Sequence, residues 1–297
     1  MSFSRELKTQ ICEAKSPECC KKAECYGFML FGQSFTLQKI SLLTDNEAVA
    51  HRWAYLIKHC FNVTAKLEQN CGKKTTYKAF VETHEERLRI INMLGLDREA
   101  PNTYINADLI KKDCCKSSFI RGMFLGAGQA TDPEKEYRID IRIKNAELAY
   151  AAFDLLYKRN LEPRITLKNL TNVVYIKRSE CVEDFLTVIG AASLSLRVMD
   201  TRAIKDFRSK LNRKGNFEDA NSSKVVNASL EQRLAIEKLI KADKFSLLNE
   251  DLQYIAKLRL DNPYAPLSEL CKLSAVPLTR SGLNHRLKKI IEISNSF

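Results

Sequence analysis

The stretch "APLSELCKLSAVPLTRSGLNHRLKKIIEIS" (Ala265 to Ser294) runs from a short apolar helix pattern through a turn into a basic helix pattern, the order of a helix-turn-helix. In the second helix, which starts near Thr279, Leu283, Leu287, Ile290 and Ser294 recur at i, i+4, i+7 and i+11 and mark the side to be buried. Ser281, Asn284, His285 and Lys288 share the opposite side, Arg280, Arg286 and Lys289 flank it, and no acid interrupts Arg280 to Lys289. Such a face suits a major groove, since Asn pairs with an adenine edge, Arg with guanine, and flanking cations hold phosphates. The candidate DNA contacts on this helix are therefore Thr279, Arg280, Ser281, Asn284, His285, Arg286, Lys288 and Lys289. His285 has Ser281 and Lys288 beside it on the polar side and no nucleophile nearby, so it reads as a contact rather than a general base. The competing reading is a solvated basic face on a packing helix.

The surroundings of this motif are basic as well. From Arg197 to Phe297 there are nineteen Lys/Arg against twelve Asp/Glu, which places +7 of the total +12 in the last third. Further helix patterns are "SLEQRLAIEKLIKAD" (Ser229 to Asp243) and "EDLQYIAKLRLDN" (Glu250 to Asn262), and Pro263, Pro266 and Pro277 stand at expected helix boundaries. Asn212 to Asn227, with Gly215 and many Asn and Ser, is polar and turn-prone. We expect residues 201–228 to be a tether and residues 229–297 an all-α helix-turn-helix domain. Arg213 and Lys224 in the tether are candidates for a second DNA contact, with a plain linker as the alternative.

At 297 residues the chain is long enough for two domains, and 45% hydrophobic residues allow real cores. Its pI near 9.2 favours a polyanionic partner. No apolar run approaches a membrane span, and "MSFSRELKTQICEAK" lacks the apolar core of a signal peptide, so the expected location is the cytoplasm, on the nucleoid, with no membrane partner. Ten cysteines, at 12, 19, 20, 25, 60, 71, 114, 115, 181 and 271, include no Cys-x-x-Cys knuckle and no His at zinc-finger spacing. They read as small apolar residues or free thiols, and neither a metal nor any other cofactor is expected.

The first two thirds of the chain repeat themselves. Cys19 to Gly95 lies on Cys114 to Gly190 at an offset of 95, apart from local shifts. Cys19-Cys20 matches Cys114-Cys115, Gly27 matches Gly122, "LFGQS" (Leu30 to Ser34) matches "LGAGQA" (Leu125 to Ala130), and "ERLRIINMLG" (Glu86 to Gly95) matches "CVEDFLTVIG" (Cys181 to Gly190). In each copy an apolar helix ends in Gly32 or Gly128 and a hairpin follows, with strand patterns at Ser34 to Thr44 and at Tyr137 to Asn145, the latter alternating strictly. Helix patterns follow at Asn46 to Phe61 and Ala146 to Asn160. Strand pairs come next, "NVTAKLEQN" with "KTTYKAFVET" (Lys74 to Thr83), and "EPRITLKN" with "NVVYIKRS", before a closing helix. The fold class is thus α+β, a duplicated αββαββα domain over residues 1–200 followed by the all-α domain.

A helix of small and apolar residues that ends in glycine before a hairpin, present twice, resembles the LAGLIDADG homing-endonuclease fold. With the C-terminal helix-turn-helix, with "FIRGMFLGAGQATDPEKEYRIDI" and "SGLNHRLKKI", and with "LNRKGNFEDANSSKVVNAS" (Leu211 to Ser229), nearly the whole chain resembles the WhiA family of sporulation and cell-division regulators. The resemblance implies a regulator bound to double-stranded promoter DNA, working alongside RNA polymerase or another regulator. A LAGLIDADG nuclease needs a carboxylate immediately before the glycine at the base of each motif helix. Phe31 and Ala127 stand there, neither can hold Mg²⁺, and the nearest acid, Asp132, lies four residues past Gly128. No catalytic residue is therefore assigned. The alternatives are a LAGLIDADG-type endonuclease with unconventional acids and a nucleoid-associated protein scaffold. In the nucleases the sheets saddle DNA, and Lys39, Lys66, Arg138, Arg142, Lys144, Arg164, Lys168 and Lys177 are positioned for that unless they merely coat a solvated sheet face.

Overall fold

The computed structural model describes residues 2–72 and 75–297. Lys74, the first residue of one expected strand, lies outside them. The chain divides into two compact units between Lys205 and Asp206.

The first unit opens with α1 (Phe3–Cys12), whose Phe3, Leu7 and Ile11 recur every four residues and are buried. The sequence reading did not anticipate this helix. Copy one follows as α2 (Glu18–Leu30), β1 (Ser34–Phe35), β2 (Ile40–Thr44), α3 (Glu47–Phe61), β3 (Lys66–Cys71), β4 (Thr75–Phe80) and α4 (His84–Met93). Copy two, after a 3-10 turn at Ala107–Ile110, is α5 (Asp113–Ala127), β5 (Gly128–Ala130), β6 (Ile139–Ile143), α6 (Ala146–Tyr157), β7 (Arg164–Lys168), β8 (Thr171–Ile176) and α7 (Ser179–Val188). The two sheets share one antiparallel topology, β1-β2-β4-β3 and β5-β6-β8-β7, so the expected duplicated αββαββα domain is present.

Local sequence explains the boundaries. Asn46 and Asn145 cap α3 and α6 through their side chains, and Thr83 with Glu86 forms a capping box on α4. In β6, Ile139, Ile141 and Ile143 are buried between outward Asp140 and Arg142, as its alternation requires. Gly95 and Gly190, matched at the offset of 95, end α4 and α7 at φ of +61° and +89°, a region open to glycine and strained for other residues.

Helices α2 and α5 form the axis of this unit. A Cβ on Gly27 would stand 2.4 Å from the Phe119 carbonyl oxygen, and one on Gly122 would stand 2.0 Å from that of Glu24. Phe119 is itself 95 residues after Glu24, so the two close approaches are related by a pseudo-two-fold axis. Glu24 is fully buried beside this crossing. Arg52 donates to it twice, at 2.8 and 2.9 Å, and Arg121 once at 3.3 Å, which satisfies a charge that burial alone would not tolerate.

Helix α8 (Ala192–Lys241) contributes its first turns to the first unit and the rest to the second. It takes in Asn212 to Asn227, so the expected turn-prone tether is corrected: that stretch is helical. Its Asn, Ser and Gly residues are weak helix formers, but no proline breaks the run, and a Cβ at Gly215 would meet nothing. Lys214 and Glu218 pair along the helix at 4.0 Å, and Arg213 donates back to Ser209 at 3.3 and 3.0 Å. The second unit continues with α9 (Glu250–Asp261), α10 (Leu267–Leu273) and α11 (Arg280–Asn295). Ile236, Leu239, Leu252, Ile255, Leu270, Leu283, Leu287 and Ile290 are among its buried core residues.

Candidate nucleic-acid interface

Helix α11 buries Leu283, Leu287, Ile290 and Ser294, the four residues its periodicity singled out. That packing turns the polar side outward: Arg280, Ser281, His285, Lys288 and Lys289 are exposed, and Asn284 is half-buried. Among the described residues, no carboxylate lies within ion-pair distance of Arg280, Lys288 or Lys289. Thr279 is the N-cap, and its hydroxyl accepts from the Gly282 amide at 3.1 Å. Its first role is thus to start the helix. Arg286 is half-buried, with its guanidinium 4.0 Å from Asp251 on α9, so it is the least free cation of the set.

Two residues that sequence reasoning passed over hold the motif in shape. Arg259 of α9 is 2% exposed and donates to the carbonyls of Asn262 at 3.3 Å and Ala265 at 2.7 Å, fixing the chain between α9 and α10. Burial lowers the pKa of its guanidinium. The hydroxyl of Tyr254 accepts from the Ala275 amide at 2.8 Å and lies 3.4 Å from Ser274 Oγ, bracing the turn before α11. These two partners, Ser274 first, hold the phenol below its ordinary pKa. Neither residue belongs to a contact pattern, because both act on main-chain groups of the loops that flank α10.

Arg213 and Lys224 lie on α8 rather than on α11. Both are exposed. Eleven residues of helix separate them by about 16 Å and return to the same side, so they form a line of two cations along one face.

In the first unit, a cleft of about 480 Å³ opens where α2 and α5 end. It is lined by Lys8, Arg142, Lys144, Gln33, Gln129 and Asn145 among others, and no Asp or Glu is in its lining. Burial pulls the Lys8 ammonium down to about 8, with Asp45 opposing the shift, and Lys8 Nζ donates to the Leu125 carbonyl at 3.3 Å. The paired glycines also correct one assignment. Five residues past Gly122 is Ala127, and five past Gly27 is Gly32, so Gly32 is the counterpart of Ala127. Phe31, which had been given that place, is instead the buried C-cap of α2. The one-residue insertion in "LGAGQA" displaces the last glycine of that motif relative to the close-packed pair. Neither Gly32 nor Ala127 carries a carboxylate.

On the sheets, Arg138 pairs with Asp140 at 2.7 Å, Lys177 with Glu136 at 3.1 Å and Lys66 with Glu82. Lys39, Arg142, Lys144, Arg164 and Lys168 remain exposed and outside ion pairs among the described residues.

The profile of the WhiA LAGLIDADG-like domain matches residues 116–208, and that of the WhiA C-terminal HTH domain matches residues 211–294. The chain is 33% identical over 304 residues to the probable cell division protein WhiA of Ruminiclostridium cellulolyticum, covering 99% of this chain and 97% of that protein. It is 34% identical over 300 residues to the protein of the same name from Carboxydothermus hydrogenoformans, covering 98% and 96%.

The chain belongs to the WhiA family.

The crystal structure of full-length DUF199/WhiA from Thermotoga maritima superimposes with a TM-score of 0.62 at 23% identity, covering 100% of this chain and 99% of that one. The WhiA fold, a LAGLIDADG-like domain followed by a helical HTH domain, is therefore the fold of this chain. No described helix is long and apolar enough to cross a membrane.

Proposed function

We propose that this WhiA-family chain is a sequence-specific double-stranded DNA-binding transcriptional regulator of cell-division or sporulation genes, without nuclease activity. The observation that carries the reading is the outward face of α11, where Arg280, Ser281, His285, Lys288 and Lys289 are exposed over a buried Leu283–Leu287–Ile290 seam. Arg280 and Asn284 read base edges in the major groove, while Lys288 and Lys289 hold phosphates. Arg213 and Lys224 add a backbone contact along α8. The unpaired sheet cations supply a weaker, sequence-independent one. The protein acts at promoters on the nucleoid, together with RNA polymerase or another regulator.

Lys289→Ala separates the two kinds of contact. It is expected to weaken promoter and random DNA alike and to reduce the slope of log affinity against log salt by about one, measured by fluorescence anisotropy across a salt series. An unchanged slope contradicts the phosphate role.

The acid-free cleft supports the second half of the reading. Metal-dependent hydrolysis of a phosphodiester needs carboxylates to hold the ions, and Gly32, Ala127 and the cleft lining supply none. Purified protein is expected to leave duplex DNA uncut in Mg²⁺ or Mn²⁺. Specific nicking that co-purifies with the chain and stops with chelator overturns this.

A further inference from the structure

The pseudo-two-fold axis brings together four thiols that are far apart in sequence. Cys19 and Cys20 are the second and third residues of α2, and Cys114 and Cys115 are the second and third residues of α5. The four Sγ atoms all lie within 4.8 Å of one another, with Cys19 and Cys20 3.9 Å apart. Cys20 and Cys115 are buried, Cys19 and Cys114 exposed, so each repeat supplies one sulfur from either side of the surface. All four are free thiols. From this geometry we propose that Cys19, Cys20, Cys114 and Cys115 form a tetrathiolate site for a single Zn²⁺ ion.

Three features support that chemistry. Zinc–thiolate bonds of about 2.3 Å set the edge of a tetrahedron of sulfurs near ~3.8 Å. The Cys19–Cys20 separation of 3.9 Å already has that length, and none of the others exceeds 4.8 Å. An iron–sulfide cluster spreads its thiolates over several irons and needs a wider set. Secondly, the thiols sit in the first turns of two helices whose N-caps, Pro17 and Lys112, make no side-chain capping bond. A zinc tetrathiolate carries net negative charge, which the positive ends of both helices stabilise. Thirdly, four ligands from protein leave no open position, which is the pattern of a structural ion rather than a catalytic one. On binding, the four thiols release their protons to solvent and the ion takes four sulfur electron pairs, with no change of oxidation state.

The site clamps the heads of the two helices that cross at Gly27 and Gly122, at the opposite end from the cleft. A search for Cys-x-x-Cys misses it, because each repeat contributes an adjacent pair and only the fold joins them. The proposal departs from the expectation of plain thiols at these four residues; Cys71, exposed on β3, lies outside the cluster.

The test uses the full chain purified under reductant. Elemental analysis after gel filtration is expected to give one zinc per chain, and replacement by Co²⁺ is expected to give the intense visible bands and sulfur-to-metal charge transfer of tetrahedral thiolate coordination. Chelation is expected to lower the melting temperature by roughly 8 °C or more, the shift for an ion held at about a thousand times its dissociation constant. Cys19→Ser and Cys114→Ser change exposed ligands, so the fold tolerates them. Each is expected to weaken zinc binding at least ~100-fold, more than the 10–100-fold of losing an outer-shell partner. Cys71→Ser retains the ion. The proposal is overturned if the reduced, folded chain equilibrated with zinc keeps none, or if the Cys19→Ser/Cys114→Ser chain keeps as much as the parent. It is equally overturned if the unreduced chain shows disulfides among these cysteines and the reduced chain binds no Co²⁺. Should a variant fail to fold, the cobalt spectrum of the unaltered chain decides alone.

Discussion

Gly122→Ala is expected to destabilise the first unit by about 3 kcal/mol or more, beyond the usual range for one added methyl in a core. The new Cβ would stand 2.0 Å from the Glu24 carbonyl oxygen and 2.7 Å from the Phe28 amide nitrogen. Both are backbone atoms of α2, so no side chain can swing aside, and the helices must separate. Separation also strains the Glu24 cluster, because Arg52 reaches Glu24 from α3 and Arg121 from α5. In thermal unfolding of the full chain this corresponds to a drop of about 6–12 °C in the transition of that unit. Gly215→Ala is the matched control. A Cβ there would meet nothing, so the substitution is expected to be neutral or to stabilise by about 0.5–1 kcal/mol as a helix-interior Gly→Ala change does. A Gly122→Ala protein that melts within about 2 °C of its parent contradicts the tight crossing.

These two glycines also show where sequence is legible and where it is not. The duplication and its matched glycines were readable because both repeats keep the same order of elements, and β6 was readable because burial on one face imposes a period of two. The buried side of α11 was readable for the same reason at the helical period. Elsewhere the deciding interactions are non-local. Asn212 to Asn227 looks like a linker residue by residue, yet it continues as helix because the well-formed turns on either side propagate through it. The counterpart of Ala127 depends on which glycines meet across the axis, and those are Gly27 and Gly122 rather than the last glycines of each motif. The thiol cluster exists only once the axis is built. Arg259 and Tyr254 were invisible because their partners are main-chain atoms of loops. Helix α1 carries its three apolar residues, Phe3, Leu7 and Ile11, at helical spacing, so it is legible in the sequence by the same rule as α11.

The second large effect concerns specificity. Arg280→Ala combined with Asn284→Ala is expected to cost about 1–3 kcal/mol at each position on the preferred DNA, and so to lower affinity there roughly 30-fold or more. Random duplex loses much less, since Lys288, Lys289 and the remaining cations still meet phosphates. Arg280 is exposed and Asn284 half-buried on α11, and neither belongs to the buried seam, so melting is expected to stay near that of the parent.

The most direct measurement is selection of bound sequences from a randomised duplex library at physiological salt, run in parallel with the full chain and with the Arg280→Ala/Asn284→Ala chain. The account predicts that the parent enriches one sequence motif and that the double variant, still folded and still retaining duplex DNA at low salt, enriches none. Recovery of the same motif by the double variant contradicts it, and would move base reading away from α11.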